Sequence, residues 1–284
     1  MKIQFENVCF SYNSKLPETR EVLKNVTLDV AAGECIGIVG PSGSGKTTLL
    51  QHFTGLLRPS SGTIHVDDRD IWAKGYPLTE LRKKIGLVFQ FPENQLFEET
   101  VAADVGFGPR ALELSDEEIH IRIEEALKLV GLDNAIIGAR APHQLSEGEK
   151  RRVAMAGVLA MAPDVLILDE PTACLDPAGV KLVLTILKKL HQEGITIIIV
   201  THNLDAIEHL VQRIIIINNG AISFDGSKDA LLKNDEILHQ AELEPPRIVR
   251  YCNYLCNLKI LSTCNGYEIE EIKTQIKKLK NIND

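Results

Sequence analysis

At 284 residues, 44% apolar and 25% charged, the chain has an ordinary globular composition and room for one large or two modest domains. A net charge of −8 argues against a protein whose main work is to neutralise nucleic-acid phosphates. The six cysteines, Cys9, Cys35, Cys174, Cys252, Cys256 and Cys264, show no zinc-ligand spacing and read as reduced thiols of a cytoplasmic protein. The N-terminal "MKIQFENVCF" alternates like a strand, with no charged segment leading into an apolar one. The longest apolar runs are far shorter than a membrane span, so the chain is expected to be soluble by itself.

In chain order, "KIQFENVCFSY", "NVTLDVAAGE" and "GTIHVDDRDI" are short alternating runs with glycine-containing turns, which predict a small antiparallel sheet. "CIGIVG" is an apolar strand that leads into a helix beginning near Lys46. Residues 91 to 150 fit a mostly helical insertion. Within it, "SDEEIHIRIEEALKLVGL" opens on Ser115, carries Asp116, Glu117 and Glu118 in its first turn, and ends at Gly131. Ser146 followed by Glu149 is the S-x-x-E capping box of a further helix. "VLILDE", "PAGVKLVLTILKKLHQ", "TIIIV" and "NLDAIEHLV" then alternate apolar strands with helical patterns, as in a parallel sheet covered on both faces. The fold class is therefore α/β with an antiparallel β subdomain and a helical insertion. Beyond residue 240, "ELEPPRIVRYCNYL" and "YEIEEIKTQIKKLKNI" read as two helices, with Pro245 and Pro246 marking the join. In the second, Tyr267, Ile269, Ile272, Ile276 and Leu279 recur at helical spacing among lysines.

The stretch "GPSGSGKTT", residues Gly40, Pro41, Ser42, Gly43, Ser44, Gly45, Lys46, Thr47 and Thr48, matches G-x-x-x-x-G-K-[ST] between a strand and a helix. In that context the glycines let consecutive backbone N–H groups point inward, making an anion nest at a helix N-terminus. Lys46 is expected to reach the β- and γ-phosphates of ATP, and Thr47 the Mg²⁺ ion. "VLILDEP" delivers Asp169 and Glu170 at the carboxyl edge of a strand, where ligands of open α/β sheets sit. There Asp169 is placed to hold Mg²⁺, and Glu170 to orient and deprotonate a water.

With "GPSGSGKT", "LSEGEKRR", "VLILDEP" and "VTHN" in that order, the chain resembles the ATP-binding-cassette (ABC) ATPases over residues 1 to 235. The resemblance implies a P-loop NTPase core spanning residues 1–240, with the helical subdomain at about 91–150. It also implies a nucleotide sandwiched between the P-loop of one subunit and the L-S-G-G-Q signature of another, so that two ATPase chains are needed. Tyr12 is then assigned to adenine stacking, and Gln90 to the loop that senses Mg²⁺, the attacking water and the membrane partner. His202 is assigned to γ-phosphate contact and Asp176 to the dimer interface. Taken singly, Tyr12 also suits an edge-strand aromatic, Gln90 a solvated loop amide and His202 a neighbour of a helix cap.

The signature departs from L-S-G-G-Q at Glu147 and Glu149, leaving Ser146 and Gly148 to meet the γ-phosphate. Glu149 can fold back into the capping box; Glu147 has to point away from the nucleotide, with Arg151 and Arg152 one turn further on as partial neutralisers. The signature reads as a working but slowed site, with a degenerate site as the alternative.

"FQFPENQLFEETVAADVGFGPR", "KRRVAMAGVLAM", "THNLDAI" and "LEPPR" are similar to the ATPases of energy-coupling factor (ECF) importers for vitamins and, in related systems, cobalt or nickel. "NSKLPETRE", after Tyr12, looks like the longer adenine-side hairpin of one of two ECF ATPase paralogues, which favours a heterodimer over a homodimer. The family implies a transmembrane coupling protein, a substrate-binding membrane subunit and a peripheral place on the cytoplasmic face of the membrane. Glu93, with Asn94 and Gln95, is expected to line the groove that receives the coupling protein. Residues 241–284 are expected to form a helical dimerisation appendage. The alternatives are another ABC importer class, which shares these motifs, and a non-transport ABC ATPase, which the acidic charge and lack of a basic linker disfavour.

Overall fold

The computed structural model describes residues 1–12, 20–173, 175–258, 260–261, 272–274 and 276–277. Its first part holds β1 (Ile3–Ser11), β2 (Glu21–Val30), β3 (Cys35–Val39), α1 (Lys46–Phe53), β4 (Ser61–Val66), β5 (Arg69–Asp70), α2 (Leu78–Lys84) and β6 (Ile85–Val88). A helical run follows, with α3 (Val101–Ala111), α4 (Asp116–Leu129), the single turn α5 (Asn134–Ile137) and α6 (Glu147–Leu159). The chain continues through β7 (Val165–Asp169), α7 (Pro177–Gln192), β8 (Thr196–Thr201), β9 (Arg213–Asn218), β10 (Ala221–Ser227), α8 (Lys228–Leu232), α9 (Asp235–Gln240) and α10 (Arg247–Asn257).

Among the described residues the strands form two sheets. The smaller is antiparallel, in the order β2-β1-β4-β5, and the larger runs β10-β9-β3-β8-β7-β6 with only β10 antiparallel to its neighbour. The continuous apolar runs are explained by burial of both faces of the larger sheet. Ile36, Ile38, Ile167, Ile198 and Val200 pack with α1 and the small sheet, around Leu49, Phe53 and Phe5. Val39, Leu166, Leu168, Ile197 and Ile199 pack on the other side with Val153 of α6 and Leu187 of α7. Each such Ile or Leu contributes about 1.5–3 kcal/mol of burial free energy. Because β6, β7, β8 and β3 are parallel, their carboxyl ends lie on one edge, and the loops that follow them meet there.

Two helices of this run start where the sequence predicts, although α6 continues past residue 150 to Leu159. Ser115 and Ser146 each close a reciprocal capping box, with Glu118 and Glu149 at the third helical position, and α4 is followed by Gly131 at φ +70°.

The tail differs in one respect, since residues 243–246 carry no helix and α10 begins only after both prolines. A proline ring clashes with helical backbone before it and removes an N–H donor, so "LEPP" stays extended. Cys252 and Leu255 of α10 form a small separate cluster with Leu261 and Ile272. Most of the second predicted tail helix, including Tyr267, Ile269 and Leu279, lies outside the described residues, as do residues 13–19 of the adenine-side segment, Cys174 and Cys264.

Candidate active site

β3 ends at Val39 and the chain turns through the glycine loop into α1. Two of its glycines are sterically required. A Cβ on Gly40 (φ +153°) would sit 2.1 Å from the Ile217 carbonyl oxygen, and one on Gly45 (φ +107°) 2.9 Å from that of Val22. Lys46 reaches back across the loop, its Nζ donating to the carbonyls of Gly40 and Pro41 at 2.8 Å each. Burial pushes its pKa below the usual lysine value, against the opposing attraction of Glu170 and Asp169. A partly desolvated ammonium held by two carbonyls is poised to exchange them for phosphate oxygens.

Asp169 ends β7, and its Oδ2 accepts from the Thr47 hydroxyl at 3.3 Å. Burial raises the Asp169 pKa above the usual carboxylate range, the Thr47 hydrogen bond opposing and the neighbouring Glu170 adding to the rise. Among the described residues no three His, Cys, Asp or Glu side chains converge into a metal cage. One carboxylate and one hydroxyl beside a phosphate loop is nevertheless the hard-oxygen donor set that suits Mg²⁺, which takes few protein ligands and fills its shell with phosphate oxygens and water.

Glu170 is held at many points. Its backbone is left-handed (φ +49°), its N–H donates to Val200 O at 2.8 Å, and its carboxylate is nearly buried. Oε2 accepts from the Thr201 hydroxyl at 2.7 Å, and Oε1 from the His202 backbone N–H at 2.9 Å. His202 Nδ1 lies 2.6 Å from the same Oε1 and donates to it, the tautomer a carboxylate acceptor requires. Thr201, the last residue of β8, stands in "VTHN" directly before His202, and that place is the signal that marks it.

Asp169, Glu170 and His202 line one cleft of about 1000 Å³, together with the loop from Gly40 to Gly43, Gly45 to Thr48, and Gln90. Ser44 is turned into the protein. Tyr12 stands outside the lining, its hydroxyl 3.2 Å from Thr48 Oγ1 and donating to Gln51 at 3.3 Å. Val22 lines the cleft, and so do Arg247 and Arg250 from the tail, positions that no sequence motif marks. Ser146 and Gly148 stand apart from this lining, at the start of α6.

The two signature glutamates resolve differently. Glu149 accepts from both the Ser146 N–H (2.8 Å) and hydroxyl (2.7 Å), and these bonds hold its pKa below the usual carboxylate value. Glu147 is exposed and takes its countercharge from Lys150, at 2.6 Å. The expectation that Arg151 and Arg152 would neutralise it gives way to different partners: Arg152 bonds the carbonyls of Gly148 and Gly131, and Arg151 is turned into the protein.

A glycine loop opening a helix, a lysine across it and two carboxylates at the carboxyl edge of a parallel sheet define a P-loop ATPase. The chain matches the ABC transporter family over residues 23–173. It is 42% identical to an energy-coupling factor transporter ATP-binding protein of Clostridium tetani over 99% of this chain and 98% of the relative. It is 44% identical to the protein of the same name in Clostridium perfringens, over 95% and 93%. Among solved structures it superposes at TM-score 0.74 and 38% identity on cbiO1 from Clostridium perfringens, part of the ABC transporter complex cbiONQ, covering 88% of this chain and 98% of that one. It also superposes, at 0.71 and 32%, on a dimeric ATP-binding cassette in a post-hydrolysis state bound to ADP and Pi, over 80% and 98% of the two chains. The chain belongs to the energy-coupling factor transporter ATP-binding proteins of the ABC transporter family, and it is an ATPase.

Proposed function

We propose that the chain hydrolyses ATP in this cleft to drive import through an ECF transporter of vitamins or transition-metal ions, as a peripheral subunit on the cytoplasmic face of the cell membrane. The convergence of Lys46, the Thr47–Asp169 pair and the Glu170–His202 pair in one cleft carries the reading. The N–H groups of the loop receive the triphosphate, Lys46 gives up its carbonyl partners to the β- and γ-oxygens, and Tyr12 flanks the adenine. Thr47 and Asp169 would hold Mg²⁺, with Gln90 beside it, and the ion would supply positive charge against the phosphate oxygens. Glu170 takes the proton of the attacking water, and His202 turns from Glu170 to the γ-phosphate. Ser146 and Gly148 complete the site of a second ATPase chain, a paralogue in preference to a second copy, with Asp176 at the interface.

Two features support the partners. Beside Gln90, Glu93 Oε2 is shielded from solvent without a hydrogen-bond partner among the described residues, and Phe91, Phe97 and Phe107 are exposed nearby in the chain, the last two edge to face at 4.9 Å. An apolar patch with an unpaired carboxylate oxygen suits a coupling helix that presents an arginine. In the tail, α10 leaves Tyr251 and Tyr254 exposed, with Leu258 just beyond its end, a surface for the dimerisation appendage of residues 241–284. No helix among the described residues is long and apolar enough to cross a membrane, so transport needs the coupling protein and its substrate-binding subunit.

Reconstitution in proteoliposomes with those two membrane subunits and the paralogue tests the reading. Uptake should require ATP, and Glu93→Arg should abolish uptake while soluble ATPase activity continues. Uptake that survives both ATP depletion and the charge reversal would remove this chain from the coupling path.

A further inference from the structure

Arg151 is the least expected side chain of α6. It lies little more than one helical turn beyond Ser146, yet it is only 7% exposed. Its Nη1 donates to the Ala173 carbonyl at 2.6 Å, and its Nη2 to the carbonyls of Glu170 at 2.9 Å and Gln90 at 3.3 Å. These acceptors follow β6 and β7: the Gln90 loop, the catalytic carboxylate's own peptide, and the turn that leads to Asp176. A planar guanidinium presents its donors in a fixed fork, so it sets the relative positions of the carbonyls it bonds.

One of those carbonyls belongs to a strained residue. Glu170 is a non-glycine in the left-handed region, which persists only where the surroundings over-determine it. Its N–H is fixed by Val200 and its carboxylate by Thr201 and His202, while its carbonyl is fixed by Arg151. The guanidinium therefore helps to hold the peptide from which the carboxylate projects.

We infer that Arg151 is a positioning residue for Glu170, through which the signature helix of this chain acts on this chain's own catalytic carboxylate. The inference rests on the reading of Glu170 as the base. Ser146 and Gly148 sit at the start of α6 and Arg151 in its second turn, on one rigid element. When α6 closes on the partner's nucleotide, Arg151 moves with it and carries the Gln90, Glu170 and Ala173 carbonyls. Engagement of one nucleotide site thereby adjusts the geometry of the other, across a path made of α6 and one side chain. A buried arginine that merely satisfied three carbonyls would support folding and nucleotide binding alike. A positioning arginine sets turnover with binding unmoved.

The test uses the assembled complex with paralogue and coupling protein, carrying Arg151→Met or Arg151→Lys, with Glu170→Gln alongside. For each, kcat and the affinity for a fluorescent ATP analogue are measured. Arg151→Met is expected to lower kcat about ten- to a hundredfold, the scale of a misplaced catalytic group, with affinity within about twofold of the parent. Arg151→Lys keeps the charge and a donor and should fall between. If the methionine variant does not fold, the lysine variant decides by the same criterion, a lowered kcat at unchanged affinity. Parental kcat in the folded variant, or a matched fall of kcat and affinity, overturns the positioning role. Should Glu170→Gln itself turn over normally, the base assignment fails and this inference with it; an inactive Glu170→Gln beside fully active Arg151 variants removes the positioning role alone.

Discussion

His202 Nδ1 lies 2.6 Å from Glu170 Oε1, so the imidazole expected at the γ-phosphate is bonded to the carboxylate expected to act as base. The two cannot serve a water and a phosphate while they serve each other. Glu170→Gln should bind ATP and lose hydrolysis by about 10²–10⁴-fold, the usual contribution of a positioned general base. His202→Ala should also bind ATP, and its kcat should fall because the γ-phosphate contact is gone and Oε1 keeps only the His202 backbone N–H. Steady-state kcat with parallel nucleotide-binding measurements checks both. Normal turnover in Glu170→Gln would sink the assignment.

Lys46→Ala separates binding from folding. The two hydrogen bonds that Lys46 makes are to carbonyls of its own loop, so truncation leaves the sheets and their cores untouched. Nucleotide binding should disappear while the circular-dichroism spectrum stays that of the parent. A variant that still binds ATP at parental affinity would place the triphosphate elsewhere.

Asp169 gives a pH dependence whose sign follows from its raised pKa. A carboxyl that protonates more readily in the folded chain contributes stability below its ordinary pKa and loses it as pH rises through the elevated value. At neutral pH the ionised, desolvated carboxylate is therefore a cost. In Mg²⁺- and nucleotide-free buffer Asp169→Asn should melt higher than the parent at pH 7.5, by about 2–4 °C for each kcal/mol recovered. The gap should narrow as pH falls and Asp169 takes up its proton. A gap that stays constant from pH 7.5 to acid pH would mean that the carboxylate is not destabilised by burial.

The motifs were legible because each is local: the P-loop, the acidic pair at the end of β7 and the Ser146–Glu149 box each occupy a few consecutive positions, on elements whose ends the sequence marks. Arg151 was not. Consecutive helical residues differ by about 100° around the axis, and nothing in "KRR" says which arginine faces inward. Its partners are main-chain carbonyls 61, 19 and 22 residues away, which carry no side-chain signature. The same holds for Arg247, whose contact with Asp205 spans 42 residues. Glu147 is the opposite case, since its countercharge is the local i,i+3 partner Lys150, and only the choice among the three basic residues of "KRR" depended on the helix face.

Glu147 and Ser146 should respond in opposite ways. The Glu147–Lys150 pair is exposed and contributes at most about 1 kcal/mol, so Glu147→Gly should fold and, in the assembled complex, show equal or higher ATPase activity. Ser146→Ala removes the cap of α6, which costs about 0.5–2 kcal/mol, and removes the hydroxyl expected at the partner's γ-phosphate. The capping carboxylate of Glu149 has a lowered pKa, so its support of the helix is present above the ordinary glutamate value and lost as pH falls through the lowered one. The stability deficit of Ser146→Ala should therefore shrink in acid, as followed by thermal melts. A large loss of activity in Glu147→Gly would give that carboxylate a positive role.

Truncation after residue 244 tests the appendage. Leu238 and Leu243 are buried in the cassette core, so a cut beyond them spares the ATPase fold, whereas α10 carries its own small cluster around Cys252 and Leu255. Its exposed Tyr251 and Tyr254, with Leu258 just beyond its end, present a surface that the proposed partner ATPase chain would cover without nucleotide. The tail is also tied to the catalytic edge: the Arg247 N–H donates to Asp205 Oδ1 at 2.7 Å and its guanidinium lies 3.3 Å from Oδ2, three residues beyond His202. That ion pair is largely exposed and its loss should cost little stability, about 0–1 kcal/mol. The truncated chain should therefore bind ATP through Lys46, melt close to the parent, and associate weakly with its partner in nucleotide-free buffer. Sedimentation of full-length and truncated chains with the paralogue measures this directly. Equal dimer populations would mean that α10 serves only its own chain, with Arg247 fixing the loop after His202.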